Sequence, residues 1–382
     1  MIAQPKKAHH LDDTTQSSAT PHLRFVWSRP ADWAGISRDW IELESRVVPD
    51  VFLTWEWLIT WQDVYAATDY VLRVYEGKQL VAIGLWVVVR HQRPLGFHVN
   101  TLHLHHCGND RKDQIWSEYN ELLCLPAYRE TVYRQLLNRL PDNMCLGEVD
   151  FGVSDATISP WLCHSGWLAE QRWKTASIGV DISQWSSFES YLTNLSKSFR
   201  YQLRRTEKGL QHVNNVTVQF APNTASCIKW FQEDGKWHKA QWGDQSGFEN
   251  PEFVAFHLAW IQRAFPNGHC HYVRLLVGDE VAAGAYLFST EKIWYFYLGF
   301  SREDWGPKIK TGYYLHLKII EHCFNLGIDN YDFMGGDYAY KRRFGQPQRQ
   351  LVGNRYKPAS WVNRFEQGLK LIKKQLIDRS NQ

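Results

Sequence analysis

The chain of 382 residues lacks most of the features that settle a function at sight. Its seven cysteines, at positions 107, 124, 145, 163, 227, 270 and 323, are odd in number and scattered, and no two are spaced C-x-x-C. That pattern argues against a disulfide framework and suits reduced thiols in a cytoplasmic protein. No run approaches the roughly 18 apolar residues of a membrane span, and residues 1–22 are polar where an export signal needs an apolar core. Neither sign of charge prevails, with 43 Lys and Arg against 40 Asp and Glu. A net charge of +3 is too small for bulk nucleic-acid binding, so any cationic function must be local. The sequence contains no Walker loop, G-x-G-x-x-G, G-x-S-x-G or H-E-x-x-H, which removes the kinase-like, Rossmann, serine-hydrolase and zincin classes in their motif-bearing forms.

What remains is a globular balance of 44% hydrophobic and 22% charged residues, at a length natural for two domains. The 19 tryptophans are numerous. Large aromatics mostly fill cores; the other use is a sugar- or base-stacking surface. Residues 1–22 read as a disordered tail. Helical spacing runs over 33–65 with a break at Pro49-Asp50, two strands flank Gly77, and a third covers 100–106. A helix over 128–140 stops at Pro141. A second unit starts near 167, with Ser186-x-x-Glu189 as a capping box for a helical region reaching Gln211. The segment Arg73–Ala82 matches Arg274–Ala283 without a gap, each a strand, a Gly-centred turn and a second strand. The match predicts two copies of one mixed α/β (α+β) domain, over 23–166 and 167–350, followed by an amphipathic C-terminal helix within 351–382.

The most informative stretch is 281–345. It reads as two hydrophobic strands (281–288 and 293–300), a basic Gly loop, a helix, and the run from Tyr331 to Gly345. The loop Lys308-Ile309-Lys310-Thr311-Gly312-Tyr313 precedes a helix start, where the first N–H groups lack helical partners and the helix dipole favours anions. It is therefore a candidate diphosphate site.

In order along the chain, six features resemble the acetyltransferase-type proteins of the cellulose-biosynthesis CelD group, a branch of the GNAT superfamily related to the Fem aminoacyl transferases. They are the aromatic run 51–61, the basic helix 195–205, Trp237-His238-Lys239, Val281-Ala282-Ala283-Gly284, Thr311-Gly312, and Tyr331-Asp332-Phe333 through Gly336-Asp337 to Tyr340-Lys341. The resemblance spans about residues 25–350. It implies two tandem GNAT-like domains, each a mixed sheet flanked by helices. It also implies transfer of an acyl group from acyl-CoA to an amine or hydroxyl, often in polysaccharide or cell-envelope synthesis. The sequence departs from the group's usual pattern in keeping one glycine in the phosphate loop and in having Ala339 before the Tyr-Lys pair.

On this reading Lys308, Lys310, Thr311, Gly312, Tyr313 and Lys341 hold phosphates, and Tyr297, Leu298, Gly299 and Phe300 flank a pantetheine arm. Asp332, Asp337 and His238 are candidate bases, and Tyr340 is the candidate acid for the leaving thiolate. Lys197, Arg200 and Arg204, with Trp237, are candidate contacts for an anionic substrate. Each has a plain structural alternative: a turn Asp bonding its own backbone, a core Tyr, a solvated helix face. The expected partner is a small-molecule or saccharide acceptor. Two rivals stand beside it: a Fem-like enzyme drawing on aminoacyl-tRNA, and a non-catalytic Trp-rich module that binds glycans or a synthase complex. Peripheral contact with a membrane through the C-terminal helix is a further alternative to its packing on the protein. His103-x-His105-His106 places His103 and His105 on one strand face, but with no second cluster at finger-like spacing no metal is expected.

Overall fold

The computed structural model describes residues 22–92, 98–141, 147–163, 166–360 and 363. The expected tail lies outside these apart from His22, as does nearly all of the expected C-terminal helix, including Trp361, Phe365, Leu369, Ile372 and Leu376. The first half contains β1 (Leu23–Ser28), α1 (Trp33–Glu44), α2 (Trp55–Tyr65), β2 (Tyr70–Glu76), β3 (Gln79–Gln92) and β4 (His98–Leu104). It continues with β5 (Leu123–Cys124), α3 (Arg129–Leu136), β6 (Glu148–Asp155) and α4 (Ile158–Cys163). The second half has β7 (Trp167–Asp181), α5 (Phe188–Asn194), α6 (Lys197–Val213), β8 (Val216–Phe220), α7 (Thr224–Trp242) and α8 (Pro251–Ala264). It ends with β9 (Cys270–Val277), β10 (Glu280–Ser289), β11 (Ile293–Ser301), α9 (Thr311–Leu326), β12 (Asn330–Gly335) and β13 (Gln346–Pro358).

All strands join one mixed sheet in the order β1-β2-β3-β4-β6-β13-β7-β12-β11-β10-β9-β8, with β5 on β3. Two similar mixed sheets flanked by helices therefore meet edge to edge, and the expected mixed α/β class holds. β13 is the splice. It lies antiparallel between β6 of the first half and β7 of the second. Residues 351–358, expected to open a C-terminal helix, are instead the far part of this strand. Leu351 to Asn354 are buried without alternation, and the place between two strands satisfies their backbone groups on both sides.

A shared core reinforces the splice. Trp57 of α2 packs on Phe256 and Trp260 of α8 and on Phe288 of β10, with ring centroids 4.8, 5.0 and 5.5 Å away. Trp40, Trp57, Trp61, Trp86 and Trp260 are all fully buried, so these tryptophans serve the core. Smaller corrections concern helix starts. The capping box is Ser187 with Ser190, one residue later than expected, and the helical region breaks at Leu195-Ser196, where Ser196 caps α6. Among the described residues no helix is long and apolar enough to cross a membrane.

Candidate active site

β11 and β12 run parallel, yet among the described residues they pair only at Ile293–Asn330, Trp294–Tyr331 and Tyr295–Asp332. Two local devices drive them apart. In β11, Leu298 pairs with Tyr286 and Phe296 with Leu287, so Tyr297 is an extra residue bulged from the ladder. In β12, Met334 adopts a left-handed backbone with φ 62°, and the pairing with β7 slips between Asp332 and Gly335. A non-glycine residue persists in that region only when its surroundings hold it there. Here Asp332 Oδ1 accepts the Met334 N–H at 2.6 Å. The Lys341 ammonium donates to the carbonyls of Phe333, Met334 and Gly335 at 2.8, 3.3 and 2.6 Å.

Along the freed part of β11 lies a cavity of about 370 Å³. β11 contributes Phe296, Gly299, Phe300 and Ser301, α9 contributes Gly312, Tyr313 and His316, and α7 contributes His238 and Trp242. Lys310, Tyr338 and Tyr340 complete the wall. The start of α9 lies in this wall with no side-chain cap. Its loop is braced from α6, where Thr206 Oγ1 accepts the Lys310 N–H at 3.1 Å and Gly209 leaves room for Ile309. Gly312 is needed for closeness: a Cβ there would stand 3.2 Å from Ser301 Cβ.

The expected residues divide accordingly. Gly299, Phe300, Lys310, Gly312, Tyr313, Tyr340 and His238 meet around one cavity. His238 is buried, accepts or donates at Nδ1 with Ser246 Oγ at 2.8 Å, and is pushed down to about 4 by burial, hence neutral near pH 7. Tyr340 stacks beside Tyr313, Tyr338 and His316, and burial raises its phenol so that it stays protonated. Leu298 faces the core, and Tyr297 turns away to bond His257 Nε2 at 3.0 Å and the Ile115 carbonyl. Thr311 is buried on the Arg302 carbonyl, and Lys308 is exposed outside the cavity wall.

Several assignments change role. Lys341 is buried and spends its ammonium on backbone carbonyls, so it is a brace for β12 and no phosphate ligand. Asp337 is ion-paired with Arg342 on the surface, which holds its carboxyl below the usual range and makes it a poor base. Asp332 is buried outside the cavity wall, with Tyr119 Oη donating to Oδ2 at 2.7 Å. Arg200 donates to the Thr193 and Leu195 carbonyls at the end of α5, and Trp237 lies under the Arg302 guanidinium at 4.7 Å. Lys197 and Arg204 remain exposed.

The sequence reading missed Glu118, His316 and Trp242. Glu118 comes from the first half, half-buried, and its Oε2 accepts the Gly335 N–H at 2.7 Å where β12 has swung away. Burial pushes its carboxyl up to about 7, against the opposing pull of the Gly335 N–H and the Lys341 charge. Nothing in the local sequence marks it, because its neighbours arrive from more than two hundred residues away. His316 had a readable signal: it sits one helical turn after Gly312, on the same face.

This geometry agrees with what comparison shows. Residues 197–342 match the family described as Acetyltransferase (GNAT) domain. No curated protein matches the sequence. Among solved structures the chain is similar to FemX, at 11% identity over 83% of this chain and 95% of that one, with a TM-score of 0.53. It is also similar to a tandem GNAT protein from the clavulanic acid biosynthesis pathway, at 10% identity over 89% and 99%, TM-score 0.49. A third is L-PGS from Bacillus licheniformis, at 11% identity over 73% and 82%, TM-score 0.44. Residues 197–342 thus match a GNAT acetyltransferase domain, and the chain as a whole shares its fold with FemX.

Proposed function

We propose that the protein is an acyltransferase that takes an acyl group from acyl-CoA and delivers it to an amine or hydroxyl at the opening between β11 and β12. One observation carries this: the edge of β11 freed beyond Tyr295 runs along a cavity that ends at the uncapped start of α9 beside Lys310. An extended amide-bearing arm adds to such an edge as a strand would, and a diphosphate suits the free amides and the lysine. The backbone displaced by the Tyr297 bulge is the candidate oxyanion donor. Tyr340, held protonated, is suited to give a proton to the departing thiolate.

We assign removal of the acceptor proton to Glu118, which lines the neighbouring cavity beside Trp116 and reaches the opening where it accepts the Gly335 N–H. A carboxylate near 7 balances basicity against ionisation at neutral pH. The motif order shared with the CelD group favours a polysaccharide or envelope acceptor. A thermal-shift screen with acetyl-CoA, longer acyl-CoAs and free CoA tests the donor, since a ligand of the folded state raises the melting temperature by mass action. Glu118→Gln tests the base: kcat should fall about 100-fold or more while the CoA-induced shift persists. The exposed Lys197, Arg204 and Lys208 of α6 favour one alternative donor, an aminoacyl-tRNA. Binding that collapses between low and moderate salt would select it over acyl-CoA.

A further inference from the structure

The first half contains a second opening built like the first. β4 and β6 run parallel and, among the described residues, pair only at Thr101–Glu148, Leu102–Val149 and His103–Asp150. Beyond them Gly152 takes φ 62°, and Asp150 Oδ1 accepts its N–H at 2.9 Å, as Asp332 does for Met334. The gap opens on a cavity of about 500 Å³ walled by His103, His106, Asp150, Trp116, Trp173 and Arg355.

We propose that His103, His106 and Asp150 bind one divalent transition-metal ion of the Zn²⁺ class. One ligand atom from each lies within 4.8 Å of the others, close enough for side-chain rotation to reach the roughly 2.0–2.2 Å that Zn²⁺ requires. His103 is 2% exposed, and neither ring nitrogen has a hydrogen-bond partner among the described residues. Buried polar groups are rarely left so, and a bound ion accounts for this one. The supporting partners are already in place. His106 Nδ1 lies 3.3 Å from Asp113 Oδ2, and Nε2 lies on the Asp150 side, 3.3 Å from its carbonyl oxygen, a contact the ion would replace, and 3.7 Å from Oδ1. Arg172 and Arg355 reach the other oxygen, Oδ2, at 2.6 and 3.6 Å, and so leave Oδ1 facing the histidines. Carboxylates behind ligating histidines orient metal sites in this way. Two histidines and one carboxylate leave a coordination position open, and the cavity offers it to an oxygen or nitrogen of a small ligand.

The sequence hid this because the strand alternation pairing His103 with His105 fails. His105 turns into the left-handed region at φ 52° and bonds Asn120 through Nδ1 at 2.9 Å, while His106 swings to within 4.6 Å of the His103 ring.

The cavity is also lined by Glu118, the proposed base, so metal binding itself, and not acyl transfer, tests the site. The full chain, freed of metal by a chelator, is titrated with Co²⁺ and followed by visible d–d absorption, then challenged with Zn²⁺. One saturable ion per chain, displaced by Zn²⁺, is expected. His103→Phe should abolish the band while keeping the urea unfolding curve, because neither nitrogen bonds the protein. Asp113→Asn should weaken binding about 10–100-fold and decides the matter if His103→Phe does not fold. Absence of stoichiometric binding overturns the site. So does a His103→Phe or Asp113→Asn chain that binds as the wild type does, which would place the ion elsewhere, as at His9-His10.

Discussion

Replacing Asp332 by Asn separates a structural from a catalytic aspartate, and the size of the effect can be worked from its surroundings. The side chain is 2% exposed, receives Tyr119 Oη and the Met334 N–H, and is pushed from 3.8 up to about 6, chiefly by desolvation. Arg349 opposes that rise, but its guanidinium is already engaged by Asp50 at 2.6 Å. A displacement of about two units at about 1.4 kcal/mol each means that the ionised form costs the fold about 3 kcal/mol. Below pH 3.8 both folded and unfolded chains are protonated at this site and the cost vanishes. Between there and about 6 the unfolded chain has lost a proton that the folded chain keeps, so stability falls as pH rises, and above about 6 the full cost is present.

Asn carries no such charge. It keeps one hydrogen bond of the two and weakens the other, for a pH-independent loss of about 1 kcal/mol. Urea unfolding of both proteins should therefore show Asp332→Asn less stable by about 1 kcal/mol near pH 4 and more stable by about 2 kcal/mol near pH 8. Groups common to both proteins cancel in the difference. Parallel curves across that range would refute the argument, and a loss of acyl transfer at full stability would return Asp332 to the catalytic residues.

The same geometry sets three further outcomes. Lys310→Ala should weaken the acyl-CoA thermal shift by about tenfold in affinity, one charge-assisted contact, with kcat nearly unchanged. Lys341→Met strips three carbonyls of their donor and should cost about 3 kcal/mol in urea unfolding, and by removing the cation beside Glu118 it should move the rise of kcat/KM, near 7 in the wild type, to higher pH. Phe288→Ala empties a fully buried site between Trp57 and Trp260; about 3–5 kcal/mol should be lost in one cooperative transition, because both halves share that core.

Much of this was legible in the sequence, for a physical reason. Strands and helices of the 270–335 block announce themselves through local periodicity, and the lysine–glycine start of α9 carries its chemistry within six residues. The expectation of two similar mixed halves came from one Gly-centred hairpin and agrees with the joined sheets. What escaped was long-range. β13 reads as nothing in particular, because its pattern has meaning only between β6 and β7, almost two hundred residues before it in the chain. The backbone that Lys341 and Asp332 hold was not legible either, because their partners at 333–335 take that shape only in the folded sheet.

The deeper repeat was also present in the letters, as Asp150-Phe151-Gly152 and Asp332-Phe333-Met334. In each half the aspartate is the last parallel rung, its carboxylate holds the N–H two residues on, and that residue is left-handed at φ 62°. One device therefore prises the sheet open twice. The two openings differ in the segment that leaves the first strand of each parallel pair. After β11 the chain enters α9, sixteen residues long, whose free amides favour an anion. After β4 it enters a loop that returns His106 and Asp113 to the strand and sends Glu118 and Tyr119 across to β12. Glycine at 152 needs no brace, whereas methionine at 334 does, and the buried Lys341 and Asp332 supply it. The strain is thus concentrated in the half proposed to bind the thioester, and the loop of the other half both fixes that strained strand and delivers the proposed base. On this reading the first half is no idle duplicate, since it supplies the proposed base and, through Tyr119 and Glu118, holds the strained strand of the second.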